Sequence, residues 1–541
     1  MKKLLLLILI EALLSFHLKA QPEIIWQKCL GGTHHEAFID AKSTPDGGYI
    51  CLGVTSSINY DLLNVCCPAG GNDIWVVKLD SNLVIEWQRI YSYDNNPIDA
   101  MKSIFVNNDT TYTMFGTIES MGEDNICNCN HSTSQDIWMV TINSNGYIIN
   151  QKCFGGSSYD LLNNVSQCED GGYLIGANSG SGDGDVGIHY GSDFSTDAFI
   201  VKTNELGEIQ WTKTIGGTGY DGAVVTALSG NRCLINIVTS SKDHDLAGLV
   251  PDGETYGRLL LITDGAGNTI KEQYDRSYGH LFELLKPYEI SPNNYLLLGY
   301  NQIDTGIFSG NKGGIDAIIA IYDSNLILSN VFQFGGSAMD VFERMHVLND
   351  STFYFTGYTY SSDFDAQEGN GEEEEDAFIV KTDMQFNKLW SKTLGATGSD
   401  RCSNVSAFDT NILLIGFSGV YGENDGDIIG AHFDPTFGAN GEGWLIIMED
   451  TISVNSSDSL NPNINIYPNP AQDLIIIEIT DNIITDYYLE VVSLTGQIVI
   501  KNQLSDNAIS EVDVYNLPAG IYIFKISNNT SPTYTKKIII Q

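Results

Sequence analysis

Carboxylates set in short pairs are the residues of this chain best placed for chemistry. Four loops carry them: Asp183-Gly-Asp185, Asp243-His-Asp245, Asp363-Phe-Asp365 and Asp425-Gly-Asp427. Closely spaced oxygen ligands in a glycine-containing loop are the raw material of a Ca²⁺ site. On that ground Asp183, Asp185, Asp363, Asp365, Asp425 and Asp427 are the candidate metal ligands. Calcium is the one cofactor they would take, and nothing else in the chain requires one. None of the loops continues to the bidentate Glu that completes an EF-hand. The competing reading is that Asp and Gly here simply make turns.

Paired carboxylates also serve glycoside hydrolysis, but a chain with 68 acidic residues offers many accidental pairs. Glu372 to Glu375 reads as a solvated loop. Ser43-Thr-Pro-Asp46-Gly-Gly-Tyr49 approaches the sialidase Asp-box without completing it. His34, His35, His189, His244 and His432 are scattered, and no Ser/His/Asp grouping emerges. Gly31-Gly32 and its relatives are turn glycines, since no helix follows them to make a phosphate loop. The sequence therefore names no catalytic residue.

The elements that must position these loops repeat. One string starts with Asp, then a large apolar residue, two aliphatic positions and often Lys-x-Asp: Asp73-Ile-Trp-Val-Val-Lys-Leu-Asp80, Asp136-Ile-Trp-Met-Val-Thr-Ile-Asn143, Asp197-Ala-Phe-Ile-Val-Lys-Thr-Asn204, Asp316-Ala-Ile-Ile-Ala-Ile-Tyr-Asp323 and Asp376-Ala-Phe-Ile-Val-Lys-Thr-Asp383. Degenerate copies begin at Gly257 and Gly443, making seven. A second string follows the first six, as in Trp211-Thr-Lys-Thr-Ile-Gly-Gly217. Asp160, Asp221, Asp340 and Asp400 recur at a spacing of about 60 residues or twice that, which suits a four-stranded propeller blade better than a solenoid turn. Each unit holds four short alternating apolar segments, and almost nothing has a helical period. Asp46 and Asp170 open Asp-Gly-Gly-Tyr turns between the first two strands. The recurring aromatics Trp75, Trp138, Phe199 and Phe378 read as core between blades.

The ends of the array are complementary. The second string occurs once before any first string, as Trp26-Gln-Lys-Cys-Leu-Gly-Gly32, and the last first string has no second string after it. The N-terminal strand should therefore complete the last blade, pairing near Leu445–Met448 and leaving no open edge. The expectation is an all-β chain with a seven-bladed β-propeller over residues 23–450. An open solenoid or two smaller propellers are the alternatives. Ligand recognition would fall on the irregular loops 179–197, 361–376 and 421–443.

The formal charge is -41, from 68 acidic against 27 basic residues. Nucleic-acid binding needs basic patches, so such a partner is excluded; an anionic membrane surface is disfavoured for the same reason. Lys2 and Lys3 followed by the apolar stretch Leu4 to Leu14 read as a signal peptide over residues 1–20, too short to span a bilayer. No later segment is long enough to act as a transmembrane segment. Export makes the ten Cys candidates for disulfides. Cys66, Cys67, Cys127 and Cys129 lie in equivalent loops, where a loop-to-loop bridge is conceivable. Cys29, Cys51, Cys153, Cys168, Cys233 and Cys402 lie in or near apolar strands, where a buried free thiol is at least as reasonable.

After Asp450 the chain changes character. Residues 451–461 are Ser-, Asn- and Asp-rich and read as a linker. Strand-length apolar runs then follow over residues 462–541, bounded by Pro, Gly or Asn, as in a small Ig-like antiparallel β-sandwich. Tyr467-Pro468-Asn469-Pro470, Leu494-Thr-Gly496-Gln497, Leu517-Pro-Ala-Gly520-Ile-Tyr522 and the terminal Lys-Lys-Ile-Ile-Ile carry a specific order and spacing. This set resembles the type A C-terminal sorting domain of the type IX secretion system of Bacteroidetes. The resemblance implies the secretion machinery as partner and a secreted or outer-surface location. The repeats loosely resemble kelch units and look more like the Gly-Gly and Asp-x-Trp repeats of secreted Bacteroidetes proteins. The leading expectation is a secreted or cell-surface binding and scaffold protein that recognises a glycan or protein through its propeller loops. The rival is a secreted polysaccharide hydrolase with carboxylates at the propeller channel.

Overall fold

The computed structural model describes residues 22–540 apart from 63–72, 92–99, 109–110, 120–134, 193, 251–254, 276–285, 292, 349–351, 368, 370–373, 409–410, 421, 423, 433–439, 450–463, 468–473, 480–486, 494–497, 505–508, 518–519 and 528–533. The expected signal peptide and linker lie outside the described residues. So do Pro468, Asn469, Pro470, Gly496 and the loop cysteines Cys66, Cys67, Cys127 and Cys129.

Strands dominate because the apolar runs are short, β-branched and bounded by turn residues. Among the described residues, those from Glu23 to Glu449 form seven four-stranded antiparallel sheets. Six are built from consecutive strands and span 36–91, 100–154, 160–215, 221–275, 287–334 and 340–394. The seventh takes Asp400–Phe408, Asn411–Val420 and Asn440–Glu449, and its outer strand is Glu23–Leu30. In that pairing Glu23 faces Glu449 and Lys28 faces Leu445. The edge that Asn440–Glu449 would expose is thus covered by the start of the chain.

A hydrophobic cluster fills every gap between successive sheets. Ile50 and Leu52 of the first sheet meet Met114 and Trp138 of the second. Phe115 and Met139 meet Tyr173 and Phe199. The series continues through the third to the sixth sheets. Tyr354 and Ile379 of the sixth then meet Leu414 and Trp444 of the seventh. Leu413 and Leu445 of the seventh pack on Phe38 and Trp75 of the first, so the series closes in a propeller-like all-β arrangement. Middle strands are covered on both faces, and Tyr173–Ser179 and Asp197–Thr203 are buried throughout. Outer strands such as Ile209–Ile215 stay partly exposed.

Two recurring sequence features find their physical reason here. The final Asp or Asn of the first string caps the turn into the outer strand. Asp80 accepts amide hydrogens from Asn82 and Val84, both at 2.8 Å, and Asn204 accepts from Leu206 and Glu208 at 3.0 and 2.9 Å. The Lys of that string pairs with the Asp that opens Asp-Gly-Gly-Tyr. Lys78 meets Asp46 at 2.8 Å and Lys202 meets Asp170 at 2.9 Å. Sequence alone showed two separate turn and strand motifs; the fold joins each into one ion pair, with the Lys buried and the Asp open to solvent.

The tail forms a three-stranded sheet of Ile464–Tyr467, Leu474–Ile479 and Ile509–Asp513 and a four-stranded sheet of Tyr488–Ser493, Ile498–Gln503, Gly520–Ser527 and Tyr534–Ile540. Ile475, Ile477 and Val512 of one share a cluster with Val491, Tyr522 and Phe524 of the other. Tyr522 is buried there, whereas Tyr467 is exposed. Cys29, Cys51, Cys168, Cys233 and Cys402 are buried free thiols. Cys153 differs from the free-thiol reading: it is disulfide-bonded. No helix among the described residues is long and apolar enough to cross a membrane.

Candidate functional site: the Asp-x-Asp end and the channel

The paired aspartates sit between the second and third strands of their sheets, and each pair reaches to the preceding sheet. Asp185 donates its amide to Gly155 O at 2.9 Å, and its Oδ2 accepts from Gly155 N at 3.3 Å. Asp183 Oδ1 accepts from Ser157 N at 2.7 Å. Asp243 and Asp245 hold Thr218 and Gly216 in the same way. Asp363 and Asp365 hold Ser337 and Gly335. Asp427 holds Gly395, and Asp61, in a loop that reads Asn59-Tyr-Asp61, holds Gly31. The side chain of Asp425 lies outside the described ones.

The aspartates thus latch each glycine pair to the next sheet through backbone amides. Charge-assisted bonds of this kind are among the stronger hydrogen bonds. Lys312 and Lys388 also contact Asp365. Among the described residues no group of three or more His, Cys, Asp or Glu is arranged to hold a metal ion.

Beneath each latch lies a buried carboxylate from the next inner strand. Asp160 Oδ2 accepts from Gly156 N at 2.8 Å and Ser181 Oγ at 2.9 Å; Asp221 and Asp340 repeat this on Gly217 with Ser241 and on Gly336 with Ser361. A Cβ on Gly155, where φ is +153°, would meet Asp160 Oδ2 at 2.4 Å and Asp136 Oδ1 at 2.6 Å. The same spot is thus approached by the first-string Asp of one sheet and the inner-strand Asp of the next. Burial, then Asp160 and Asp185, pushes Asp136 up to about 8. Burial likewise lifts Asp316 and Asp340 to about 6.

The residue between the paired positions is left-handed in every described loop of this type. It is glycine in three, Gly184, Gly426 and Gly306 of the equivalent fifth-sheet loop Thr305-Gly-Ile307, with φ of 63°, 57° and 62°. In the other three it is Tyr60, His244 or Phe364, with φ of 52°, 50° and 48°. Tyr60 is 57% exposed and Phe364 54%. Tyr60 packs against His432 with centroids 4.8 Å apart, and His244 stacks on Tyr190 at 4.2 Å. His432 Nδ1 lies 3.1 Å from Glu442 Oε2. Composition gave no sign of these aromatics; their spacing relative to the Asp pairs would have.

A cavity of about 390 Å³ is lined by residues on or beside the first strands of six sheets and on Asp400–Phe408 of the seventh. β-bulges fall at Lys102, Asn163 and Glu343, where the pairing slips between Met101 and Ser103, Leu162 and Asn164, and Phe342 and Arg344. All three bulged residues line the cavity, as expected where an extra residue re-aims a side chain. Its two carboxylates are engaged. Asp40 accepts from Ile104 N at 2.9 Å, and Lys42 and Asn404 also contact it. Glu343 lies 3.6 Å from Arg401. The run Glu372–Glu375, expected to be solvated, is in fact anchored at its end. Glu375 is buried and paired with Arg401 at 2.5 Å, because Arg401 is the second residue of the adjacent strand Asp400–Phe408.

Residues 465–541 match the secretion system C-terminal sorting domain. The endo-acting ulvan lyase of Formosa agariphila is 24% identical over 99 residues, 18% of this chain and 19% of that protein. The chain's match therefore spans about a fifth of that curated relative. Among solved structures, Drosophila Semaphorin 2a is similar with a TM-score of 0.37 at 7% identity, covering 97% of this chain and 99% of that one. Phage phi92 endosialidase is similar with a TM-score of 0.36 at 10% identity, covering 95% and 87%. The described tail strands fall within the matched segment. The C-terminal segment is a type IX sorting domain, and the protein is one exported to the cell surface or beyond it.

Proposed function

We propose that this is an extracellular binding and scaffold protein. A seven-bladed propeller over residues 23–450 recognises a glycan through the loops at its Asp-x-Asp end, and an Ig-like sorting sandwich over 462–541 delivers it through the type IX machinery. The observation that carries this reading is the trio Tyr60, His244 and Phe364. Sister loops place glycine at the same position, because a left-handed conformation costs a side-chain-bearing residue about 1–2 kcal/mol. Strain of that kind gathers at functional sites, and here it supports two exposed rings that add little to the core. Flat aromatic surfaces suit the apolar faces of sugars.

The rival reading, a polysaccharide-degrading enzyme, draws on the short similarity to an ulvan lyase. Against it, the two carboxylates among the described lining residues, Asp40 and Glu343, are already engaged by cations and hydrogen-bond donors. A glycan array probed with the mature chain tests the proposal. Binding without product release is expected, with Tyr60→Gly and Phe364→Gly each weakening it several-fold while melting temperature holds or rises. Release of shortened product, or binding indifferent to both changes, would overturn it.

A further inference from the structure

The channel carries a charge opposite to that of the protein around it. Lys and Arg make up 27 of 541 residues, about one in twenty, yet four of the cavity's 20 lining residues are cationic: Lys42, Lys102, Lys286 and Arg344. Two carboxylates, Asp40 and Glu343, face them, together with His346. Asp40 is shared by Lys42 at 2.6 Å and two hydrogen-bond donors, and Glu343 is shared between Arg344, Lys102 and Arg401, which lies 3.6 Å from it outside the cavity.

Among the described residues Lys102, Lys286 and Arg344 have no carboxylate within ion-pair distance. Among the described residues the Arg344 guanidinium donates only to the Glu343 carbonyl, at 3.1 Å. The Lys286 ammonium lies 5.6 Å from the Tyr288 ring centre. Lys102 is exposed and Lys286 and Arg344 are half-buried; crowding like charges at one site still costs free energy, which an arriving counter-charge would remove. Burial, then Arg344 and Lys42, pushes the Lys286 ammonium down to about 8, and burial followed by Arg344 also lowers Lys102.

These cations come from different sheets, so no local sequence preference gathers them. Lys102 sits at the bulge of the second sheet, Lys286 just before the inner strand Pro287–Ser291, and Arg344 beside the bulge of the sixth. In a chain of formal charge -41, a solvated surface would gain nothing from keeping them together. The exterior does not veto an anion either, since its field is screened beyond about 8 Å at physiological ionic strength.

We propose that the channel binds a small anion carrying two or more negative charges on carboxylate or sulfate groups. The cavity's size lies in the range of small-ligand sites. Lys102, Lys286 and Arg344 approach the ligand from three sides, and Tyr288 offers it an apolar wall. This goes beyond the loop-face reading and stands without it, because neither Tyr60 nor Phe364 lines the cavity.

The test is calorimetric titration of the mature chain at constant ionic strength with four probes: sulfate, citrate, acetate and glucose. Saturable binding of sulfate or citrate at one site is expected, with acetate much weaker and glucose silent. Whichever dianion or trianion binds more tightly identifies sulfate or carboxylate as the preferred group. The double variant Lys102→Gln/Lys286→Gln should weaken that binding at least tenfold. Its unliganded melting temperature should hold or rise, since a repulsion is removed. If the double variant does not fold, Lys102→Gln alone should weaken binding about threefold or more. Absence of saturable binding, or equal binding by the variants, overturns the proposal. Glycan-array binding by the wild-type chain would be untouched by that result, so the two readings fail separately.

Discussion

Asp185 and Gly155 belong to neighbouring sheets and exchange two hydrogen bonds, the Asp185 amide to the Gly155 carbonyl and the Gly155 amide to the Asp185 carboxylate. Four other junctions repeat the exchange. Gly155→Ala places a methyl group at φ +153°, within 2.6 Å of two carboxylate oxygens, and should cost at least about 2 kcal/mol. Gly230, at φ +72° with nothing within 4 Å of its Cβ position, is the control. Its change to Ala should cost only about 1 kcal/mol. Urea unfolding of both variants checks the difference, and equal costs would remove the latch from the account of stability.

The ion pair of Lys202 and Asp170 is lopsided, and the asymmetry predicts an order. The Lys202 side chain is 3% exposed and that of Asp170 34%. Asp170→Asn strands a buried ammonium, whereas Lys202→Met leaves a carboxylate that water can reach. The first should cost about 3 kcal/mol and the second clearly less. The reverse order in thermal melts would contradict the burial argument.

Acid and base should act on this protein in opposite senses. Asp136, Asp316 and Asp340 titrate above their usual 3.8, up to about 8, 6 and 6. The folded state holds their protons more tightly than the unfolded one. Their contribution is therefore full below about 4 and is lost as pH rises through 6 to 8. Burial alone would also raise Asp46, Asp170 and Asp365, but Lys78, Lys202, and Lys312 with Lys388 outweigh it and hold all three low. Their contribution is present above the usual carboxylate value and lost below it. From these groups melting temperature should peak near pH 4 and fall from there towards 8. Asp136→Asn should flatten the alkaline side by an amount on the order of several kcal/mol at pH 8. A profile rising steadily to pH 8 in both proteins would disprove this.

Each described Asp-x-Asp carboxylate already accepts a backbone amide. Calcium titration with a chelator control should leave the melting temperature unmoved. A saturable rise of several degrees would instead make Asp183, Asp185, Asp363 and Asp365 the ligands.

Removal of residues 462–541 should leave residues 23–450 folded but held in the periplasm, as followed by cell fractionation and surface proteolysis. Surface delivery of the truncated chain would show that the address lies elsewhere.

Much of this molecule was legible one residue type at a time. Strand length follows from turn residues at either end. The repeat follows from recurring Asp-x-Trp and Gly-Gly strings, and export from the pieces around Gly520 and Tyr522. These are local or periodic signals, carried by neighbours along the chain. The pairing of Trp26-Gln-Lys with Leu445–Met448 was also readable, because each end of the array lacks the string that the other supplies. What Asp183 and Asp185 do was not readable, because their partners Ser157 and Gly155 lie in the preceding unit, and a carboxylate looks the same whether it meets a metal or an amide. The gathering of Lys102, Lys286 and Arg344 was not readable either. They occupy different units and no common motif, and only closure of the ring, with bulges at Lys102 and Glu343, brings their charges to one cavity.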